Sequence, residues 1–239
     1  MSHVALVTGA GAGLGAALAE SLARDGFDVA VHYRTSAGGA ARTCDAIKAL
    51  GRDAFSFAAD LAREAEARAL ARAVEERFGR LDVLVNNAGS YSDRSGIELT
   101  EDEWRAGLDS TVTQTFFVTR ACLPLLRAGT LRRVVNVGDA GADRIGARDR
   151  AWSYHIGKAG VWMLTRSFAA TEAHAGVAVN MVSPGVLARG AGGIDPQRVP
   201  AGRLGTPADV YAAVRFYAME APPYVTGSNL VVAGGWNLR

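Results

Sequence analysis

The chain has 239 residues, of which 49% are hydrophobic and 21% are charged, and its formal net charge is +2. This length and balance are typical of one globular α/β domain with a sizeable core. The small net charge argues against nucleic acid or a membrane surface as a partner. Cys44 and Cys122 lie far apart in sequence, which favours two reduced core thiols in a cytoplasmic protein. No signal peptide or membrane span is predicted.

Short apolar runs alternate with longer amphipathic runs along the chain. Strands are predicted for residues 3–9, 28–33, 53–60, 81–89, 132–138, 177–185 and 229–235, and helices for 14–26, 38–51, 64–79, 100–129, 152–175 and the segment that starts at Thr206. Most of these strands are apolar on both faces, as in a parallel sheet covered by helices on both sides. The predicted fold is one doubly wound, Rossmann-like α/β domain over residues 1–239, with a seven-stranded, mostly parallel sheet. Residues 186–205 are predicted to form a loop that covers the substrate.

The segment TGAGAGLG, residues 8–15, joins the first predicted strand to the first helix. Gly9 permits a tight turn, whereas Gly13 and Gly15 let the backbone approach a pyrophosphate and let the helix pack on the strand. The helix N-terminus offers free N–H groups and a positive dipole to that phosphate. The segment therefore predicts a dinucleotide site, the alternative being glycines that merely allow a tight turn.

The end of the second strand indicates which dinucleotide is bound. HYRTS, residues 32–36, contains no acid that could bind the ribose 2′-hydroxyl of NAD. Arg34 can pair with a 2′-phosphate, and Thr35 and Ser36 can add hydroxyl donors. These residues favour NADPH (NADP when oxidised) as the cofactor, unless Arg34 is simply an exposed turn arginine.

Tyr154 and Lys158 lie four residues apart, on one face of a predicted helix. A nearby ammonium favours the phenolate and lowers the pKa of a tyrosine from about 10. Such a phenol can exchange a proton near neutral pH, which hydride transfer to C=O or C=N requires. The pair therefore predicts a proton donor and a cation that assists it, although a surface pair has the same spacing.

These segments and several others occur in an order typical of one family. The chain resembles the classical short-chain dehydrogenases/reductases over essentially its whole length. The matching motifs are TGAGAGLG (8–15), Asp60, NNAG (86–89), YHIGK (154–158), VNMVSPG (179–185) and VTGSNLVVAGG (225–235). The resemblance implies that Tyr154 is the proton donor, that Lys158 holds the nicotinamide ribose, and that Asn86 supports the central sheet. It also implies a small-molecule substrate and a homodimer or homotetramer.

The turn, the second strand and the resemblance together define a set of expected cofactor contacts. The set comprises Gly9, Gly13, Leu14, Gly15, Tyr33, Arg34, Thr35, Ser36, Asp60, Leu61, Asn87, Ala88, Gly89, Tyr154, Lys158, Pro184, Gly185, Val186 and Leu187. Tyr91, which follows NNAG, and Trp152, which could stack on a flat ring, are candidates for the substrate pocket, with a loop-surface role and helix packing as their alternatives. His155 is expected to face away from Tyr154 and to have a structural or interfacial role.

The chain departs from the family's pattern at two catalytic positions. The family's asparagine corresponds to Thr111, which could hold a water in a proton relay or have no role. The family's serine falls at Gly138 or Asp139, so that an acid replaces a hydroxyl. An ionised Asp139 cannot donate a hydrogen bond and would repel an alkoxide, but it would attract a ring N–H or an iminium. Asp139 is therefore predicted to be catalytic and to contact substrate, unless it is a loop acid that faces solvent.

An aspartate at this position and HY followed by basic and hydroxyl residues also occur in the pteridine reductase branch of the family. The chain differs from that branch at Gly89 and in the longer spacing from Asp139 to Tyr154. The sequence therefore favours an NADPH-dependent reductase of a C=N or C=O bond in a small ring-containing substrate, such as a pterin or a cyclic imine. One alternative is a ketone or alcohol oxidoreductase of the 3-oxoacyl or polyketide ketoreductase type. Another is a homologue that binds NADPH without redox catalysis.

Overall fold

Seven strands form one parallel sheet in the computed structural model, which describes residues 2–144, 146–188 and 194–238. They are β1 (Val4–Val7), β2 (Asp28–Tyr33), β3 (Ala54–Ala58), β4 (Val83–Asn86), β5 (Arg133–Val137), β6 (Ala178–Pro184) and β7 (Asn229–Val232). The sheet order is β3-β2-β1-β4-β5-β6-β7, and each neighbouring pair is parallel. The predicted Rossmann-like fold is thus confirmed. The strand order reverses between β1 and β4, and ligands of such sheets bind at the carboxyl ends beside that point.

Helices cover both faces of the sheet. They are α1 (Gly13–Arg24), α2 (Ala37–Ala49), α3 (Glu64–Phe78), α4 (Glu101–Leu108), α5 (Gln114–Ala128), α6 (Trp152–Glu172) and α7 (Pro207–Arg215), with 3-10 turns at Gly96–Glu98, Ala173–Ala175, Pro196–Arg198 and Trp236–Leu238. Side chains of β1 alternate between two apolar clusters: Ala5 and Val7 pack with α1, α2 and α7, whereas Val4 and Leu6 pack with α3 and α5. None of the described helices combines the length and the apolarity that a membrane span needs.

The predicted long helix over residues 100–129 begins as expected but is interrupted. Thr100 and Glu103 form a reciprocal capping box at the start of α4. A π-helical segment, Asp109–Thr113, then separates α4 from α5. Such segments often occur at functional sites, and this one presents Thr111 to α6.

Glycine lets α6 approach the π-helical segment closely. A Cβ on Gly157 would lie 1.8 Å from Thr111 Oγ1, so only glycine fits at this crossing. A second close approach joins Gly107 of α4 to Ser153 of α6. These contacts fix the first turns of α6, which carry Tyr154 and Lys158.

A buried polar network holds β4 and β5 beneath the site. Asn86 Nδ2 donates to Asn136 Oδ1 at 2.8 Å and to Thr119 Oγ1 at 2.9 Å. Asn136 Nδ2 donates in turn to Thr165 Oγ1 of α6 at 2.9 Å. Paired amides in the interior hold their elements in a unique arrangement. The predicted supporting role of Asn86 is confirmed.

Candidate active site

A cleft of about 430 Å³ opens at the carboxyl ends of β1, β2 and β4. Its lining consists of Gly9, Gly11, Ala12, Gly13, Leu14, Gly15, His32, Tyr33, Arg34, Thr35, Ser36, Ala59, Leu61, Asn87, Ala88, Gly89, Ser90, Ser110 and Gln114. Most of the expected cofactor residues are in this set. The expected contacts that lie beyond it are Asp60, Tyr154, Lys158, Pro184, Gly185, Val186 and Leu187. Sequence reasoning missed Gly11, Ala12, His32, Ala59, Ser90, Ser110 and Gln114.

The glycine-rich turn presents the backbone N–H groups of a helix N-terminus to the cleft. Helix α1 starts after Ala12, which makes no side-chain cap, and the first turn contains no acidic residue. Its N-terminal N–H groups and its dipole can therefore bind an anion such as a pyrophosphate. A Cβ on Gly15 would lie 2.3 Å from Gly9 O and 2.4 Å from Asn87 Nδ2, so only glycine lets α1 start this close to the turn. The residues present thus fit a dinucleotide.

The side chain of His32 supports this turn through a hydrogen bond with Gly9. Its ring is 2% exposed. The N–H of Gly9 donates to His32 Nδ1 at 3.2 Å, and His32 Nε2 lies 3.0 Å from the carbonyl oxygen of Ala59. These partners require the neutral tautomer that carries its hydrogen on Nε2. Burial lowers the pKa of His32, against the opposing effects of the Ala59 carbonyl and Asp60. In the sequence, His32 is marked out as a functional candidate only by being a polar residue within an apolar strand.

The residues after β2 leave room for a 2′-phosphate. Arg34, Thr35 and Ser36 are exposed at the mouth of the cleft. Ser36 Oγ also donates to the carbonyl oxygen of Gly11 at 3.3 Å, which ties this segment to the turn. The described lining residues include no Asp or Glu. An exposed guanidinium that has no carboxylate beside it in the lining binds a phosphate more strongly than it binds a ribose hydroxyl.

Asp60 and Leu61 have different environments. The Asp60 carboxylate accepts from the N–H of Ala62 at 3.2 Å and lies 3.6 Å from Arg63 Nε. Leu61 is 1% exposed and lines the cleft. Asp60 therefore shapes the turn after β3, and Leu61 is the residue that reaches the predicted adenine side.

Tyr154 and Lys158 lie together at the first turns of α6, as predicted. Lys158 is 4% exposed, its Nζ donates to the carbonyl oxygen of Val137 at 2.6 Å, and Nζ is 5.7 Å from the centre of the Tyr154 ring. Burial lowers the pKa of Lys158 to about 8, against the opposing charge of Asp139. Two of the three ammonium hydrogens remain for other acceptors.

The expectation that Tyr154 has a lowered pKa is wrong for the protein alone. Burial is the largest effect, and together with the charge of Asp139 it raises the pKa of Tyr154 far above its usual value. Tyr154 therefore carries its proton at neutral pH. A protonated phenol is the form that a reductase needs in order to donate to a substrate oxygen or nitrogen.

Of the two residues at which the family's serine falls, Asp139 rather than Gly138 has a side chain that can reach the site. A Cβ on Gly138 would lie 2.6 Å from Ser183 Oγ, so residue 138 points into the body of the sheet. Asp139 follows β5 and its side chain is 21% exposed. Its charge raises the pKa of Tyr154 and, as a smaller effect, that of Tyr91. The structure thus brings this carboxylate to Tyr154.

Two further aromatic residues adjoin this carboxylate. His155 Nδ1 lies 3.8 Å from Asp139 Oδ2. The rings of Tyr91 and Tyr154 meet edge to face at 5.1 Å, and the His155 ring is 5.3 Å from that of Tyr154 and 6.3 Å from that of Tyr91. The expectation that His155 faces away is wrong, because the first turn of α6 passes directly beside the loop that follows β5. Tyr91 lies where a substrate-pocket residue is expected.

Thr111 and Trp152 make mostly structural contacts. Thr111 is fully buried, and its hydroxyl donates to the carbonyl oxygen of Gly107 at 2.6 Å. This bond within the helix competes with the predicted binding of a relay water. The Trp152 ring packs on Gly96, and its Nε1 donates to the carbonyl oxygen of Arg148 at 2.6 Å. Trp152 therefore anchors the start of α6 to the preceding loops.

The segment after β6 borders the Asp139 loop. The N–H of Ala140 donates to the carbonyl oxygen of Pro184 at 3.0 Å. Leu187 then pairs with Gly205 in an isolated parallel bridge, which closes the base of the predicted cover over residues 186–205. Residues 189–193 of that cover lie outside the described residues.

Comparison with known proteins identifies the family. A family model described as enoyl-(acyl carrier protein) reductase matches residues 9–237. The chain is 36% identical over 240 residues to the 3-oxoacyl-(acyl-carrier-protein) reductase FabG of Vibrio cholerae, a match that covers 97% of this chain and 96% of that protein. The structure of acetoin dehydrogenase from Enterobacter cloacae has a TM-score of 0.89 at 29% identity, covering 100% of this chain and 96% of that one. The angucycline C-6 ketoreductase LanV, solved with bound NADP, has a TM-score of 0.88 at 30% identity, covering 99% and 96%.

The chain belongs to the classical short-chain dehydrogenase/reductase family. It is therefore an oxidoreductase that uses a nicotinamide cofactor and acts on a small molecule. The cleft and the Tyr154–Lys158 pair are the two parts of its candidate site.

Proposed function

We propose that the protein is an NADPH-dependent ketoreductase that transfers hydride to the C=O bond of a small substrate, with Tyr154 as the proton donor. The observation that carries this proposal is the Tyr154–Lys158 pair, in which the buried Nζ of Lys158 lies 5.7 Å from the centre of the Tyr154 ring, next to a cleft whose described lining lacks carboxylates. Relatives named as 3-oxoacyl reductases and as a ketoreductase support reduction of a ketone. The sequence alone favours a C=N bond in a ring and leaves ketone reduction as the alternative, which the relatives support better.

The residues of the chain perform the proton chemistry of this reaction. NADPH bound in the cleft would supply the hydride for the carbonyl carbon. The Tyr154 hydroxyl gives its proton to the carbonyl oxygen, so that the ketone becomes an alcohol and Tyr154 a phenolate. Lys158 stabilises that phenolate through its charge, and its remaining N–H donors can bind the cofactor ribose. Tyr91, whose ring meets Tyr154 edge to face, orients a substrate against the phenol.

NADPH is proposed over NADH because of Arg34. This residue is exposed at the mouth of the cleft, beside the hydroxyls of Thr35 and Ser36. The guanidinium and the Thr35 hydroxyl can donate to the oxygens of a 2′-phosphate together, and Ser36 can join them when its hydroxyl turns away from Gly11 O. A homodimer or homotetramer stays a prediction from the family resemblance.

A second candidate function is reduction of a C=N bond in a pterin-like ring or a cyclic imine. Asp139 favours it, because a carboxylate beside the proton donor attracts an iminium or a ring N–H. The carboxylate is 21% exposed, so a substrate can reach it. A binding protein without redox activity has less support, since both Tyr154 and Lys158 are in place.

One experiment separates these candidates. The purified protein is mixed with NADPH and, in parallel, with 3-oxoacyl thioesters, cyclic ketones, cyclic imines and dihydropterins, while NADPH absorbance is followed. We expect oxidation with the ketones. Oxidation with imines or pterins alone supports the second candidate. NADPH binding without oxidation across the panel favours a non-catalytic protein, and product formed without oxidation favours a non-redox enzyme.

A further inference from the structure

The proposed ketone reduction creates an electrostatic problem at Asp139. The substrate oxygen becomes more negative as hydride arrives, and a nearby negative charge raises the energy of that transition state. A serine hydroxyl at this position would donate a hydrogen bond, whereas an ionised aspartate can only accept one. The site therefore requires a group that compensates Asp139.

His155 is the group best placed to do so. Its Nδ1 is 3.8 Å from Asp139 Oδ2, close enough for an ion pair when the ring is protonated. The His155 side chain is 23% exposed and that of Asp139 is 21% exposed, so the pair is partly withdrawn from water but can exchange protons with it. Such partial burial strengthens the attraction relative to a surface pair.

The same pair contacts the reacting residue. The His155 ring lies 5.3 Å from the ring of Tyr154, and Tyr91 packs edge-on against both. A change in the charge of the pair therefore changes the electrostatic potential at the oxygen that Tyr154 protonates. Thr111, by contrast, is fully buried and its hydroxyl is bonded to its own helix.

We propose that Asp139 and His155 act as one titratable pair, in which protonated His155 neutralises Asp139 and allows the pocket to stabilise the alkoxide-like oxygen of a reduced ketone. This inference rests on the proposed ketone reduction. His155 acts through Asp139 and is a positioning residue. No net proton transfer through the pair is required, because Tyr154 supplies the proton of the product.

The direction of the pH dependence follows from the groups around the imidazole. Burial is the largest effect and leaves the pKa of His155 below its usual value, although Asp139 raises that pKa; Arg148, in the same loop as Asp139, lowers it further. Tyr91 and Tyr154, which also face the ring, are uncharged near neutral pH, because each has a raised pKa. Lys158 beside the Tyr154 ring, and the Asp93–Arg150 ion pair beside Tyr91, are further charges of this cluster. The neutralised pair is thus present at acidic pH, and it is lost as the pH rises through the pKa of His155.

Histidine NMR tests the pairing without any substrate or cofactor. The chain has four histidines, so the resonance of His155 can be assigned by its disappearance in His155→Gln. We expect the pKa of His155 to fall in Asp139→Asn relative to the wild type. The exposed His174 serves as the internal reference. An unchanged pKa of His155 in Asp139→Asn, with the fold intact by thermal unfolding, overturns the proposal.

A double-mutant cycle tests the catalytic consequence. In the wild-type background, His155→Gln should remove the rise of kcat/KM toward acidic pH and lower kcat/KM for the ketone about 10-fold at acidic pH. In the Asp139→Ser background no charge needs compensation, so the same substitution should have a much smaller effect. His174→Gln is the matched control and should leave the pH profile as it is.

The outcomes separate this inference from the proposed function. An equal effect of His155→Gln in both backgrounds means that His155 acts independently of Asp139, which overturns the inference while ketone reduction stands. If the wild type reduces none of the ketones, the proposed function fails and the catalytic part of the inference fails with it. The NMR titration still decides whether the pair itself exists.

Discussion

The two halves of the site are built in different ways. The cofactor half, formed by residues 8–15, 32–36 and 59–61, presents mainly backbone groups and glycine surfaces to its ligand. The substrate half, formed by Tyr91, Asp139, Tyr154 and His155, presents side chains from three separate segments. A site built from backbone groups binds the same ligand throughout a family, because backbone groups do not change with sequence. A site built from side chains can change its chemistry through a single substitution. The departure from the family pattern at Asp139 lies in the half that side chains build, whereas the departure at Thr111 is fully buried beneath it.

The sharpest test of the substrate half is Tyr154→Phe. This change removes only the hydroxyl, so the proton donor is lost while the ring packing against Tyr91 remains. We expect NADPH oxidation with the best ketone to fall by about 10²- to 10⁴-fold, with NADPH binding retained. Tyr224→Phe is the control, because Tyr224 is 98% exposed. Turnover close to that of the wild type would remove Tyr154 from the reaction.

The corresponding test of the cofactor half is Gly15→Ala. The added methyl group would lie 2.3 Å from Gly9 O and 2.4 Å from Asn87 Nδ2, so the turn must shift. We expect the dissociation constant for NADPH, measured by fluorescence titration, to rise by about 10- to 100-fold, the cost of overpacking a tight site. Gly38→Ala is the control, since the nearest atom to its methyl would be Arg42 Nη1 at 3.7 Å. Equal NADPH affinity in Gly15→Ala and the wild type would mean that the turn is not the phosphate site.

The two halves also differ in what the sequence could predict. The glycine-rich turn and the Tyr154–Lys158 spacing each lie within one local element, so their geometry follows from helix and turn rules alone. The position of His155 depends on how the loop after β5 passes α6, which no local rule specifies. The π-helical segment, in which Thr111 is buried, likewise results from the packing of α4 and α5 against α6. Sequence periodicity gives the faces of helices but not the loops that meet them.

Cofactor choice is tested by Arg34→Ala. The guanidinium is exposed, so its attraction to a 2′-phosphate is partly screened by solvent. We expect the dissociation constant for NADPH to rise about 10-fold, with little change for NADH, which lacks that phosphate. Arg68→Ala is the control, because Arg68 lies on α3 and pairs with Glu64. Equal weakening of both cofactors would show that Arg34 does not recognise the 2′-phosphate.

The smallest expected effect concerns His32. Two substitutions distinguish its hydrogen bond with Gly9 of the turn from its hydrogen bond with Ala59, the residue after β3. In His32→Asn, the shorter amide can still accept from the N–H of Gly9, whereas in His32→Gln the longer amide reaches Ala59 O instead. We expect His32→Gln to weaken NADPH binding about 5-fold, the usual range for one hydrogen bond, and His32→Asn to weaken it less.

The pH dependence of NADPH binding extends that test. The pKa of His32 lies below its usual value of about 6.5, mainly because the ring is buried. Protonation at still lower pH converts Nδ1 into a donor and removes the acceptor for the N–H of Gly9. The affinity of the wild type should therefore fall as the pH drops through that pKa, and the affinity of His32→Asn should stay flatter, because an amide does not titrate. If Asn and Gln weaken binding equally and the two pH profiles coincide with that of the wild type, His32 merely fills space beneath the turn.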